Sequence, residues 1–303
     1  MTTASSTHHH HVRPLDTFGV AVMILLCVSW GFNQAAAKFA IHDIPPMTQA
    51  AIRSVVAGFI VAAWAKARGV RLLSRDGTLI AGLSAGALFG IEFVFLYQGL
   101  LYTTATRAVL FLYTAPFFVV IGSRIFLPAD RFHWSQWAGL ALSFSGIALA
   151  FGVPTPAADP RQALGDVLVV LGAVCWAATT VTIKASRLTQ APAEKVMLYQ
   201  LVVSAPILAA FIPVFGEHMS RVPSWPAIAA LAYQTLWVVS VTFVIWFAMV
   251  ARYSANRLAA FTFLSPLFGV AAGHFLLGEP LNEAFAVSVA LVAGGLILVN
   301  RAK

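Results

Sequence analysis

Arg53 and Glu92 are the two residues whose charge is hardest to reconcile with their surroundings, because each interrupts a long apolar run. An ionisable group in such a run needs a partner or a task. Arg53 lies nine residues into the run that begins at residue 44, and Glu92 lies eight residues before the end of the run that closes at residue 100. On consecutive antiparallel helices both sit about 12–13 Å below the same face, at ~1.5 Å per residue. They are then either a buried ion pair or a site in which the Arg53 guanidinium meets the carboxylate of a small ligand, whose geometry it matches. Trp30, Tyr97, Tyr113, Trp176, Tyr199, Trp237 and Trp246 stand away from the run ends, where Trp and Tyr normally concentrate. They are material for an aromatic cavity wall or for ordinary packing. Asn33 and Thr179 follow Trp30 and Trp176 by three residues and add polar groups on nearly the same helical face.

Pro116 and Pro266 each remove an amide and displace the carbonyl four residues earlier, at Leu112 and Thr262. The result is either a kink satisfied by Thr114, Ser265 or water, or an acceptor for a ligand ammonium. Catalytic chemistry has no comparable support. The apolar runs contain no paired carboxylates, no His-Glu-x-x-His and no P-loop. Cys27 and Cys175 fall inside apolar runs as small hydrophobes. No catalytic residue, metal or cofactor is expected.

The elements that must position these residues are membrane spans. Of 303 residues, 60% are hydrophobic and only 10% charged, against roughly 25% charged in a soluble domain, which excludes a soluble fold. Ten apolar stretches, at 17–39, 44–65, 78–100, 104–125, 132–152, 163–185, 195–215, 225–250, 254–276 and 283–300, are each long enough to cross the ~30 Å hydrocarbon core. The chain therefore reads as an all-α integral membrane protein of ten transmembrane helices in contact with lipid. Residues 1–16 form a polar tail whose His8–His11 run has the look of a purification tag or a native extension. Placing both termini in the cytoplasm puts 14 of the 19 Lys and Arg residues on the inner side and four outside or at outer helix ends. This asymmetry obeys the positive-inside rule and accounts for the basic charge without nucleic acid.

The two halves match. Trp30-Gly31-Phe32-Asn33 followed by Lys38 aligns, at an offset of 146, with Trp176-Ala177-Ala178-Thr179 followed by Lys184. Ala105, Arg107, Pro116 and Leu127 align with Ala255, Arg257, Pro266 and Leu277 at an offset of 150. Arg53 and Glu92 fall opposite Tyr199 and Thr242, so the second half does without these charges. Five spans per half, an odd number, make the second copy enter from the opposite side, an inverted repeat of 17–152 and 163–303 joined by an external linker, 153–162. Such repeats usually enclose a site near the midplane.

Trp-Gly-x-Asn-x(4)-Lys in the first span, Arg53, the paired Pro116 and Pro266, and Leu277-Gly278-Glu279-Pro280 before the last span resemble the drug/metabolite transporter superfamily, EamA-like branch, over residues 17 to 300. The first half departs from that loop pattern with Leu127-Pro128-Ala129-Asp130. The overall likeness is to bacterial exporters of aromatic amino acids and methionine. The resemblance implies alternating access in a bacterial inner membrane and an amino-acid substrate, aromatic or otherwise large and neutral, with a proton-coupled exporter of another metabolite or drug as the alternative. Trp30, Asn33, Tyr97, Tyr113, Trp176, Thr179, Tyr199, Trp237, Thr262 and Ser265 are the expected substrate contacts. Uncoupled transport is expected on the premise that Arg53 holds Glu92 ionised and leaves no group to carry a proton. Lys38 and Lys184 are expected to snorkel to opposite surfaces or to close gates, and His274 to make an interfacial hydrogen bond. Gly82, Gly86 and Gly90, four residues apart, are expected to bring two helices close. The oligomeric state stays open, with a monomer compatible.

Overall fold

The computed structural model describes residues 16–126, 134–150, 160–253, 258, 261–278 and 284–301. The His run, residues 127–130, linker residues 153–159, Ala255, Arg257, Glu279 and Pro280 lie outside the described residues. Every regular element among those described is helical. The chain runs through α1 (Thr17–Ala40), α2 (Pro46–Ala67), α3 (Leu79–Tyr102), α4 (Ala105–Leu112), α5 (Ala115–Phe126), α6 (Trp134–Ala150), α7 (Pro160–Lys184) and α8 (Ala193–Val214). It continues through α9 (Trp225–Ala232), a π-helical segment (Tyr233–Thr242), α10 (Phe243–Arg252), a 3₁₀ turn (Thr262–Leu264), α11 (Ser265–Leu277) and α12 (Phe285–Arg301).

Six helical stretches among the described residues are long and apolar enough to cross a membrane: α1, α2, α3, α7, α8 and the continuous stretch Trp225–Trp246. Each has 22 to 25 residues, about 33–38 Å at ~1.5 Å per residue. The uninterrupted runs expected over 104–125 and 254–276 are broken instead. The helix stops at Tyr113–Thr114 and restarts at Ala115, so Pro116 occupies the first turn of α5. Likewise Pro266 sits in the first turn of α11, after the 3₁₀ turn. Proline is tolerated there because those amides have no intrahelical acceptor. The Thr114 hydroxyl bridges the first break by donating to the Phe111 carbonyl at 2.6 Å.

Packing follows the small residues. α3 runs along α7 and α8, α2 along α8, α1 along α11, and α6 along α12. Gly82, Gly86 and Gly90 face α8, where an added Cβ would lie 2.5 Å from the Tyr199 ring, 2.5 Å from the Tyr199 carbonyl and 3.1 Å from Ser204 Cα. α1 meets α11 at Gly31, whose Cβ would fall 2.5 Å from the Ser265 carbonyl oxygen. Without a hydrophobic drive between helices in lipid, this close backbone approach supplies the packing energy.

Candidate functional site

The bundle has two polar ends, named here for their lysines. At the Lys38 end, Lys38 Nζ turns inward to the Leu100 carbonyl and, at 2.9 Å, the Thr103 carbonyl. Thr103 Oγ1 donates to Asp166 Oδ1 at 2.6 Å. Arg107 Nε donates to both Asp166 oxygens at 3.2 Å, and its Nη2 to Oδ2. The latch joins α1, α3, α4 and α7, and its two-pronged guanidinium–carboxylate geometry is the strong form of ion pair. At the same end Glu217 caps α2, accepting from the amides of Met47 and Thr48 at 2.9 Å each. Asp43, bound by the Ser224 hydroxyl and amide and by Arg221, has its carboxyl held below the usual range, chiefly by Ser224.

At the Lys195 end, buried Lys195 donates to the Ser74 carbonyl at 3.0 Å and to Asp76 Oδ2 at 2.7 Å. The Lys195 ammonium, seconded by the Thr78 hydroxyl, holds the Asp76 carboxyl well below the ordinary carboxylate range. Arg68 reaches Glu194 at 3.7 Å. Tyr253 Oη donates at 2.8 Å to Asp16, which also caps α1 through the Gly19 amide at 2.7 Å.

Between the ends lie the residues singled out from sequence. Trp30 Nε1 donates to Thr242 Oγ1 at 2.9 Å, and the ring stands edge-on to Trp246. Trp237 Nε1 and Tyr233 Oη, one turn apart, donate to the Ser29 hydroxyl and carbonyl. Tyr97 Oη donates to Gln234 Oε1 and Gln234 Nε2 to Gln49 Oε1, both at 2.7 Å. This buried chain links α3, the π segment and α2. The π segment, a rare geometry often found at functional sites, thus grips α1, α2 and α3. Tyr113 packs edge-on against Trp176. Thr179 is buried and turned back onto the Cys175 carbonyl. Asn33 Oδ1 and Ser265 Oγ are buried without a hydrogen-bond partner. Thr262 opens the 3₁₀ turn, and Ser265 N returns to its carbonyl.

Two expectations change. Tyr199 stands at the Lys195 end, packed on Gly82 with its hydroxyl 3.3 Å from Thr78 Oγ1, apart from the central aromatics. Arg53 and Glu92 do not form an ion pair, since no guanidinium nitrogen comes within 4.0 Å of a Glu92 oxygen. The guanidinium instead lies 3.8 Å from the centre of the Phe93 ring and 5.6 Å from that of Tyr97. Arg53 Nε and Nη2 and Glu92 Oε2 are all buried without hydrogen-bond partners. Phe93, one residue beyond Glu92, takes the place beneath the cation because a ring face attracts it without desolvating a second charge. The sequence reading missed Gln49, Gln234 and Asp166. The two glutamines carry no charge to mark them, and Asp166 lies so near the start of its span that it reads as a surface residue.

The sequence profile of the EamA-like transporter family matches residues 17–152 and again 163–301. The chain belongs to the EamA-like transporter family. It is thus a membrane transporter and not an enzyme. An uncharacterized transporter of Bacillus subtilis, YvbV, is 26% identical over 286 residues, covering 92% of this chain and 90% of that one. A probable amino-acid metabolite efflux pump of Salmonella typhimurium is 26% identical over 291 residues, covering 91% and 92%. An uncharacterized inner membrane transporter of Escherichia coli, YedA, is 22% identical over 95% of this chain and 92% of its own. A crystal structure of a protein with 22% identity shares the fold of this EamA-like chain, with a TM-score of 0.72 over 92% of this chain and 94% of the other.

Proposed function

We propose that the protein exports amino acids, aromatic and other large neutral ones, across a bacterial inner membrane by alternating access. In this reading ten transmembrane helices form two inverted five-helix repeats, both termini are cytoplasmic, and the Lys38 end faces outward. The twofold family match supports the repeat. A contact invisible in the sequence agrees with it: Thr103 on Asp166 and Tyr253 on Asp16 are similar hydroxyl–carboxylate hydrogen bonds at opposite ends of the bundle.

The observation that carries the substrate class is the pair of buried groups Arg53 and Glu92, which form no ion pair and whose Nε, Nη2 and Oε2 have no hydrogen-bond partner. A guanidinium and a carboxyl group, each with hydrogen-bonding atoms left over, are complementary to the two poles of an amino acid. Trp176, Tyr113, Asn33 and Ser265 supply an aromatic and polar surround for its side chain and ammonium. The names of the efflux-pump relatives agree with this class. The test is exchange of labelled phenylalanine in proteoliposomes challenged with an unlabelled panel. Competition by tryptophan, leucine and methionine but not by glutamate is expected; no movement of the label overturns the reading.

A further inference from the structure

Glu92 is the fourteenth residue of the 24-residue α3, about 15–20 Å from either end at ~1.5 Å per residue. It is 5% exposed and its Oε2 has no hydrogen-bond partner. α7 closes over it, with Gly172 approaching the Glu92 backbone carbonyl so closely that a Cβ there would lie 3.3 Å away. The ion pairs among the described residues, Arg68–Glu194, Arg107–Asp166, Lys195–Asp76 and Arg221–Asp43, are all at the bundle ends, and none includes Glu92.

The other titratable groups on the helices packed against α3 are accounted for. α2 presents Arg53, held on the Phe93 and Tyr97 rings and within electrostatic range of Glu92, and Lys66 in its last turn. α7 presents Cys175, within electrostatic range of Glu92, while its Asp166 lies in the Lys38-end latch and its Arg161 and Lys184 near its two termini. On α3 itself Tyr97 is committed to Gln234. Glu194, Lys195 and Tyr199 of α8 belong to the Lys195 end, and Lys38 of α1 and Arg107 of α4 to the Lys38 end.

An ionised carboxylate so placed, with no hydrogen bond to Oε2 and no cation within ion-pair distance, carries a desolvation cost that the one more distant guanidinium does not offset. A carboxylic acid does not. Arg53 has no such escape, since a guanidinium stays charged in proteins, and two ring faces compensate it. The premise for uncoupled transport, a Glu92 held ionised by Arg53, is therefore removed.

We infer that Glu92 is the proton-carrying group of an antiporter, protonated in the empty carrier and deprotonated when substrate is bound. The inference rests on the amino-acid reading. When a zwitterion enters from the cytoplasm, its carboxylate takes the free donors of Arg53 and its ammonium approaches Glu92. The O–H bond of the carboxyl breaks, its proton passes to the water of the open side, and the ammonium N–H groups donate to the carboxylate left behind. No bond in the substrate changes. Release outside reverses the step, with a proton from outside water restoring the acid before the carrier returns. One proton enters for each amino acid that leaves.

The test uses the purified full chain in proteoliposomes with the membrane potential clamped at zero, labelled phenylalanine outside, and a lumen one pH unit more acidic than the bath. One proton per substrate supports up to ~10-fold accumulation in the lumen. Wild type should approach that ratio, Glu92→Asp should retain accumulation, and Glu92→Gln should not rise above equal concentrations. An infrared measurement at neutral pH needs no substrate: the carbonyl stretch of a protonated carboxyl group should be present in wild type and lost in Glu92→Gln. Label that exchanges in wild type without accumulating, equal accumulation in wild type and Glu92→Gln, or a wild-type spectrum without that band overturns the inference. If no label moves in any vesicle, the amino-acid reading fails, and the infrared band still decides whether Glu92 carries a proton.

Discussion

α1 and α7 begin alike and diverge in the middle. Each has an aspartate near its start that accepts a hydroxyl, Asp16 from Tyr253 and Asp166 from Thr103. Their tryptophans, 146 residues apart, then part company. Trp30 donates to Thr242, whose own hydroxyl is spent on the Val238 carbonyl at 2.5 Å. Trp176 is 37% exposed and packs on Tyr113. The position equivalent to Thr242 is Glu92, with a buried oxygen that has no partner. One side is fastened by hydrogen bonds; on the other the buried Glu92 Oε2 has none. Two stretches of similar sequence thus differ in how far their polar groups are hydrogen-bonded.

The largest effect should come from the residue after each tryptophan. An added Cβ at Gly31 meets Ser265 O at 2.5 Å and Gly269 N at 2.7 Å, backbone atoms that cannot step aside. Gly31→Ala should therefore cost about 3 kcal/mol, the upper part of the overpacking range. The equivalent Ala177 is already buried, and Ala177→Gly should cost only about 1–2 kcal/mol, from helix propensity and one lost methyl. Unfolding midpoints in detergent check both, and equal losses would break the comparison.

A smaller effect separates the tryptophans themselves. Trp30→Phe removes one hydrogen bond and should lower stability by about 1 kcal/mol with a modest change in phenylalanine exchange. Trp176→Phe, which removes no hydrogen bond, should do the reverse, leaving the melting temperature nearly unchanged while reducing exchange several-fold. Measuring both properties on both variants sharpens the contrast; parallel losses would erase it.

The smallest effect lies in the helices that follow. α2 is capped by Glu217 from the loop after α8, whereas the N-terminal turn of α8 is held through Lys195 by Asp76 from the loop after α2. The Asp76 carboxyl is held low by the Lys195 ammonium. Its contribution is therefore complete above the ordinary carboxylate value of about 3.9 and is lost as pH falls through the lowered folded value. Acid titration of the melting temperature should show a shallower decline below about pH 4 in Asp76→Asn than in wild type, with little difference at neutral pH. Identical slopes would remove Asp76 from the clamp.

The sequence by itself determined that this is a helical membrane transporter, because the length of an apolar run and the order of motifs along it are local properties that the bilayer reads directly. It also marked Arg53 and Glu92, since a charge inside such a run stands out wherever it points. What only the tertiary structure decided is which groups meet. Tyr199 went to Gly82, Lys38 turned in to the end of α3, Asp166 took Arg107 and Thr103, two unremarked glutamines joined Tyr97 across three elements, and Arg53 settled on Phe93 in place of Glu92. The reason is rotational. A helix apolar all round carries no polar stripe to fix its orientation, each residue advances the face by about 100°, and between Glu92 and Phe93 that single step decides whether the cation meets a carboxyl group or a ring.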